Sequence, residues 1–415
     1  MNKEGTNLNI YSTKEKSNSK SERPSNNNNS NNNDNNINGS LKDKDFYNNL
    51  QNINNYLKEY YHSFYDNFEL LNFIKSGSVG RVFEGKLKHT QKELKLAFKF
   101  DISKDKTKKL FKDSQEITIL KKLKHKNISQ IYAFITMPDN SIFSVLEYAK
   151  YGDLENFEKN LLKRKILSET IICYFCKQIL ESLEYIHKCK IAHMDIKEGN
   201  ILIDSNLNIK LTDFSVSCSY SLFHPGEMVK PPFVGTSKYM SPEIINRTNM
   251  KIKDFSKIDL YSLGVTLYKL IFGFYPYKLD EVKNKDYDNI LKNIKLEILE
   301  FPKDRKVSDL FKDFLKGLLE KDYTKRFNIK ESLNHSWIKG SEILFDEKEN
   351  AFSLQYFLTN LITDNILKFN KYINKDWIIV IKLCKLRNRS VNNLINNFVI
   401  LKIEIKKLKL INLKI

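Results

Sequence analysis

The sequence predicts an α+β fold in which a small sheet-based lobe precedes a larger helical lobe, with a cleft between them. Three observations predict it. Short apolar alternations such as "FELLNFI", "GRVFEGKL" and "ELKLAFKF" recur through 68–148, the period-two signature of half-buried strands. After Gly152 apolar residues recur at helical spacing as far as residue 338. The period changes at 146–152, which marks the junction, and a cleft between two such lobes is the usual seat of a ligand.

The elements follow in order. Residues 1–45 are rich in Asn, Ser and Lys, with "NNNNSNNNDNN" at 26–36. They hold too little apolar surface to offset ordering entropy, so disorder is expected. Over 46–67 the residues Leu50, Ile53, Leu57, Tyr60, Tyr61 and Phe64 fall on one face of an amphipathic helix. The strand-rich stretch contains one helix near 107–124. Beyond Gly152 helices are expected at 154–163, 168–188, 256–272, 308–320 and 329–335, around an irregular region at 190–250. Residues 339–415 form a C-terminal extension.

Composition excludes several classes. The net charge of +19 is carried unevenly: residues 1–67 hold eight basic and eight acidic side chains, whereas 366–415 hold twelve and two. About half the excess therefore lies in the tail, which argues against a nucleic-acid-binding body. Five cysteines, with Cys173 and Cys176 as a lone C-x-x-C on a helical pattern, imply core packing in a reducing cytoplasm or nucleus. The opening "MNKEGTNLN" is polar and residue 2 is Asn, so neither a signal peptide nor N-myristoylation is expected. No apolar run has the length of a transmembrane span.

The chemistry sits in four short stretches. "KSGSVGRV" (75–82) follows a strand and has two glycines three apart, a turn whose backbone N–H groups can approach phosphate oxygens. "LAFK" (96–99) ends an apolar strand on Lys99, and Glu116 lies on the next helix. "HMDIKEGNILI" (193–203) crowds Asp195, Lys197 and Asn200 before an apolar strand, and Asp213 follows thirteen residues after Asn200 in "IKLTDFSVS". Carboxylates and an amide at strand ends suit a hard divalent cation such as Mg²⁺, and a remaining carboxylate can orient a hydroxyl nucleophile. Each stretch alone also has an ordinary surface or turn explanation; their combination is harder to explain that way.

In that order and spacing, residues 68–338 resemble a eukaryotic protein kinase catalytic domain of the serine/threonine type. The resemblance implies a bilobal fold, with an antiparallel small-lobe sheet carrying one regulatory helix. It implies ATP and Mg²⁺ as cofactors and protein substrates as partners. Gly77, Ser78 and Gly80 would cover the phosphates, with Val82 and Ala97 against the adenine. Lys99, paired with Glu116, would contact the phosphates. Leu146 would be the gatekeeper, Glu147 and Ala149 would offer hinge backbone groups, Asp153 would reach the ribose, and Leu202 would close the base pocket. Asp195 would take the proton of the substrate hydroxyl, Lys197 would steady the moving phosphoryl group, and Asn200 and Asp213 would hold Mg²⁺. Glu243 in "SPE" and Arg326 would pair, with "DLYSLG" (259–264) as a further anchor. Lys197 together with "GTSKYMSPE" (235–243) resembles serine/threonine rather than tyrosine kinases, with Thr236 bonded toward Asp195 and Lys197.

Four positions depart from the family pattern. Lys75 replaces the first loop glycine, Ser215 the glycine after Asp213–Phe214, and Met194 the arginine before Asp195. The fourth is the activation loop: "LFHPGEMVKPPFVG" (222–235) contains no Ser, Thr or Tyr. In the family that arginine pairs with a loop phosphate, so both halves of the switch are missing. The expectation is a loop held without phosphorylation by Pro231, Pro232 and Phe233. The alternative is a weak pseudokinase acting as a nucleotide-binding scaffold. In the tail, "WIIVIKLCKLRNR" (377–389) has the basic amphipathic form of a calmodulin or membrane-surface site, though a solvated tail under weak selection reads the same way.

Overall fold

The computed structural model describes residues 62–76, 80–89, 95–101, 116–136, 142–157, 167 and 169–339. Residues 1–61, 340–415, Gly77, Ser78 and the first half of the helix expected at 107–124 lie outside the described residues, and so do the expected disorder of 1–45 and the basic tail. A short helix, α1 (His62–Asn67), leads into a five-stranded antiparallel sheet: β1 (Phe68–Ser76), β2 (Gly80–Leu87), β3 (Lys95–Asp101), β4 (Ile131–Thr136) and β5 (Ile142–Glu147), in the order β1-β2-β3-β5-β4. Residues 116–122 are helical and form α2.

Alternation along β3 divides its side chains. Phe98 and Phe100 are buried and join Phe83 and Phe143 in one aromatic cluster, with ring centroids 4.0 to 5.7 Å apart. Ala97 and Lys99 point the other way, into the cleft. Register completes that face: Val82 is opposite Lys99 and Ala97 opposite Leu146.

Of the helix expected at 154–163, the described residues show the start, α3 (Leu154–Asn156), capped by the Asp153 side chain; residues 158–163 lie outside the described residues. The second lobe then builds on α4 (Glu169–Lys188) and α6 (Ser256–Phe272). Almost every residue of α6 is buried, so it serves as the lobe's central post rather than an amphipathic surface helix. It stops at Gly273, whose φ of 83° permits the left-handed cap. Around it stand α5 (Pro242–Ile245), α7 (Tyr287–Leu296), α8 (Asp309–Leu318) and α9 (Ile329–Asn334). The two-residue strands β6 (Ile191–Ala192) and β9 (Cys218–Ser219) pair, as do β7 (Ile201–Ile203) and β8 (Ile209–Leu211).

The expected helices at 168–188, 256–272, 308–320 and 329–335 correspond to α4, α6, α8 and α9 with shifted ends, whereas α7 was not anticipated. It lies in an Asn- and Lys-rich stretch and buries just Ile290 and Ile294. The readable signal was Asp286, which caps it, followed by those two isoleucines at i, i+4 spacing. Of the amphipathic helix expected at 46–67, only the last turns fall among the described residues.

Arg326 and Glu243 pair inside the large lobe. Both are buried, with Nη1–Oε1 2.6 Å and Nη2–Oε2 2.9 Å, and the guanidinium also donates to the carbonyls of Lys257 and Glu320. Removing one partner of such a pair strands a charge. Arg326→Ala is therefore expected to lower the unfolding free energy of the full chain by about 3–5 kcal/mol in urea denaturation. A loss under 1 kcal/mol would contradict this account.

Candidate active site

A cavity of about 340 Å³ lies between the lobes, lined by Val82 and Ala97 above and Leu202 below. Glu147 and Ala149 line one end; Lys99, Asn200 and Asp213 line the other. One end is therefore apolar and the other charged.

The charged end is assembled from several elements. Lys99 on β3 donates to Glu116 on α2 at 3.0 and 3.2 Å, which fixes its ammonium in the cleft. Asp213 lies 3.8 Å from that ammonium. Burial works to raise the Asp213 carboxyl, but Lys99, a hydrogen bond from Ser215, and the charges of His193 and Lys197 outweigh it, so its pKa falls below the ordinary aspartate value. Ser215, in place of the family's glycine, thus bonds the carboxylate directly. Phe214 is buried, edge-on to His193 at 4.8 Å.

Asp195 is buried, and both of its oxygens are engaged. Oδ1 accepts from the Thr236 backbone N–H at 2.8 Å and from its hydroxyl at 2.7 Å. Oδ2 accepts from Lys197 at 2.6 Å and from Asn200 Nδ2 at 2.9 Å. Lys197 also donates to the Thr236 hydroxyl at 2.6 Å. With Nδ2 turned to Asp195, the amide oxygen of Asn200 is the atom left for a cation.

The donor set fits magnesium. Among the described residues no group of three or more His, Cys, Asp or Glu side chains could hold a metal alone. A carboxylate and an amide oxygen match a cation that keeps water and phosphate oxygens as its other ligands.

The backbone at these residues is strained. Met194 and Asp213 have φ of 70° and 65°, left-handed values that cost a non-glycine residue about 1–2 kcal/mol each. Asp259 at the start of α6 holds the first of them. Its Oδ2 accepts from the His193 N–H at 2.9 Å and from His187 Nε2 at 2.8 Å, and its Oδ1 from the Met194 N–H at 2.8 Å. Burial works to raise the Asp259 carboxyl, but these bonds outweigh it and hold its pKa below the ordinary value.

The Met194 side chain is buried, so an apolar group fills the position in which the family has an arginine. Gly235 packs on its backbone: a Cβ there would lie 2.4 Å from the Met194 carbonyl oxygen, and the φ of 109° suits glycine alone. The preceding loop is pinned along its length. Strand β10 (Met228–Val229) pairs with β11 (Met250–Lys251), and the N–H groups of Ile252 and Lys253 donate to the carbonyls of Glu227 and Pro225. Phe233 sits between the Arg247 guanidinium, 3.7 Å above its ring, and the Tyr287 ring at 4.7 Å; Pro231 is buried and Pro232 exposed.

Two arrangements were not visible in the motifs. Asp153, expected at the ribose, lines the cavity and accepts from Lys75 at 2.5 Å and from Asn156. A buried network also escaped notice: Tyr239 donates to Glu198 at 2.6 Å, Lys269 donates to the Tyr239 hydroxyl at 2.9 Å, and Lys269 lies 3.5 Å from Glu198. Its members are up to 71 positions apart, and no local pattern announces them.

Comparison with known proteins agrees with this geometry. The protein kinase domain family matches residues 68–338. The chain is 30% identical over 272 residues to the cell cycle serine/threonine-protein kinase CDC5/MSD2 of Saccharomyces cerevisiae, covering 65% of this chain and 36% of that one. It is 34% identical over 231 residues to a carbon catabolite-derepressing protein kinase of Secale cereale, covering 55% and 42%. It is 31% identical over 276 residues to an Aurora kinase of Eremothecium gossypii, covering 66% and 69%. The chain thus spans between about a third and a half of the length of the first two of these relatives. With the family matched over the whole two-lobed body, this chain belongs to the protein kinases.

Proposed function

We infer that this chain transfers the γ-phosphoryl group of ATP to serine or threonine hydroxyls of proteins. The observation that carries this reading is the Asp195–Lys197–Asn200–Thr236 network beside Lys99–Glu116 and Asp213. A scaffold without catalysis has no need for that set, and nothing in the site favours one.

The residues divide the work by position. The apolar end receives the base, with Glu147 and Ala149 at its rim and Gly80, Val82, Ala97 and Leu202 around it. Lys99, oriented by Glu116, meets the phosphates. Asn200 and Asp213 would hold magnesium, which, when bound, neutralises charge developing on the phosphoryl oxygens. Asp195 accepts the proton as the substrate hydroxyl oxygen attacks phosphorus. Lys197 balances charge on the group in transit, and Thr236 keeps Asp195 and Lys197 in register.

The loop reading belongs here too. Arg247 and Tyr287 against Phe233, with the β10–β11 pairing, support a loop ordered without a phosphate. The buried Met194 leaves no cation at that point to receive one. A calmodulin-like regulator at 377–389 and a cytoplasmic or nuclear setting rest on sequence pattern alone; among the described residues no helix is long and apolar enough to cross a membrane.

Two outcomes test these assignments. Asp195→Asn is expected to reduce transfer to a mixed protein substrate by roughly 10²–10⁴-fold, with ATP binding retained within a few-fold by calorimetry. Near-normal turnover would remove Asp195 from the chemistry. Phosphatase-treated wild-type protein is expected to keep its activity, while Phe233→Ala loses about tenfold, from an aromatic and cation–π contact together of order 1–2 kcal/mol. Activity abolished by the phosphatase would refute the loop account.

A further inference from the structure

Lys75 has no part in the transfer chemistry, yet it crosses the cleft. It stands near the end of β1, opposite Val82, and its ammonium is 2.5 Å from Asp153 Oδ2 in the other lobe. The Asp153 side chain is only 3% exposed, whereas that of Lys75 is 40% exposed. Three donors already engage Asp153: Oδ1 accepts from the Asn156 N–H at 2.8 Å, and Oδ2 accepts from Asn156 Nδ2 at 3.1 Å as well as from Lys75. The ammonium also reaches toward the loop of Lys197, since a Cβ on Gly199 would lie 3.7 Å from it and 3.8 Å from Glu155 Oε2.

Covalent order fixes what belongs at this edge. A nucleotide runs base, sugar, phosphates. With the base at Glu147–Ala149 and the phosphates at Lys99 and Asp213, the sugar falls beside Gly152 and Asp153. Its hydroxyls are neutral donors competing with a cation for the same carboxylate. Both bonds would gain from the Asp153 charge, but only the ammonium adds a full opposite charge, so it is the stronger competitor, and at 3% exposure Asp153 has little open surface for a further donor. The cation keeps it.

We propose that Lys75 sets nucleotide specificity: by occupying Asp153 it leaves the cleft indifferent to the ribose 2′-hydroxyl, so ATP and 2′-deoxyATP bind alike. This rests on the nucleotide-site reading above. The test is calorimetric binding of Mg-ATP and Mg-2′-deoxyATP to the full chain. Wild type, Lys75→Met, Lys75→Ala and the double variant Lys75→Met/Asp153→Asn would be compared.

Wild-type dissociation constants for the two nucleotides are expected within about twofold of each other. Either lysine variant should favour ATP by about tenfold, the worth of a hydroxyl hydrogen bond to a freed carboxylate. The double variant should return to parity, which assigns the effect to Asp153 rather than Glu155. Having two lysine variants keeps the test decisive if one folds poorly. A tenfold ATP preference in wild type, or parity in both lysine variants, overturns the proposal while leaving the nucleotide site standing. If no variant binds either nucleotide, the site reading itself falls and takes this one with it.

Discussion

A single buried carboxylate determines where Asp195 and its neighbours stand. Asp259, wholly enclosed at the start of the central helix, accepts from two consecutive backbone N–H groups, those of His193 and Met194. Met194 is thereby held at a positive φ that its side chain disfavours, and the next residue, Asp195, is turned toward Thr236 and Lys197. Unmet N–H groups in a buried position cost about 1–3 kcal/mol apiece, so the strained conformation is the cheaper one while Asp259 is in place. The loop that carries Asp195 is in effect suspended from the core helix, and the burial of nearly every residue of Ser256–Phe272 keeps that support from shifting.

The small lobe works differently, since its contribution to the site is a matter of strand parity. Phe98 and Phe100 are locked into an aromatic cluster on one side of the sheet, which forces Ala97 and Lys99 to the other. A slip of one residue would bury the lysine and expose the rings. The lysine then needs a carboxylate to hold its flexible stem, and Glu116 supplies it from a different element.

Much of this was legible because each motif is local. Strand alternation, the crowded Asp195–Asn200 segment and the order of stretches along the chain all follow from neighbours in sequence. What escaped was partnership at a distance. Lys75 could be recognised as an unusual residue in the phosphate loop, but Asp153 is 78 positions away, and nothing local says that they meet. Phe233 could be nominated as an anchor, but Arg247 and Tyr287 could not be named as its partners. The helix Tyr287–Leu296 was missed for a related reason: only two of its residues bury, too few for a period to show.

The Phe233 contact has a consequence beyond geometry. A loop ordered by an aromatic ring between an arginine and a tyrosine acquires its shape when the chain folds and keeps it for the life of the molecule. Order of that kind carries no covalent mark for an enzyme to add or strip. Under this reading a chemical toggle at this loop is not available, and control of such a protein falls to its amount and to its other surfaces.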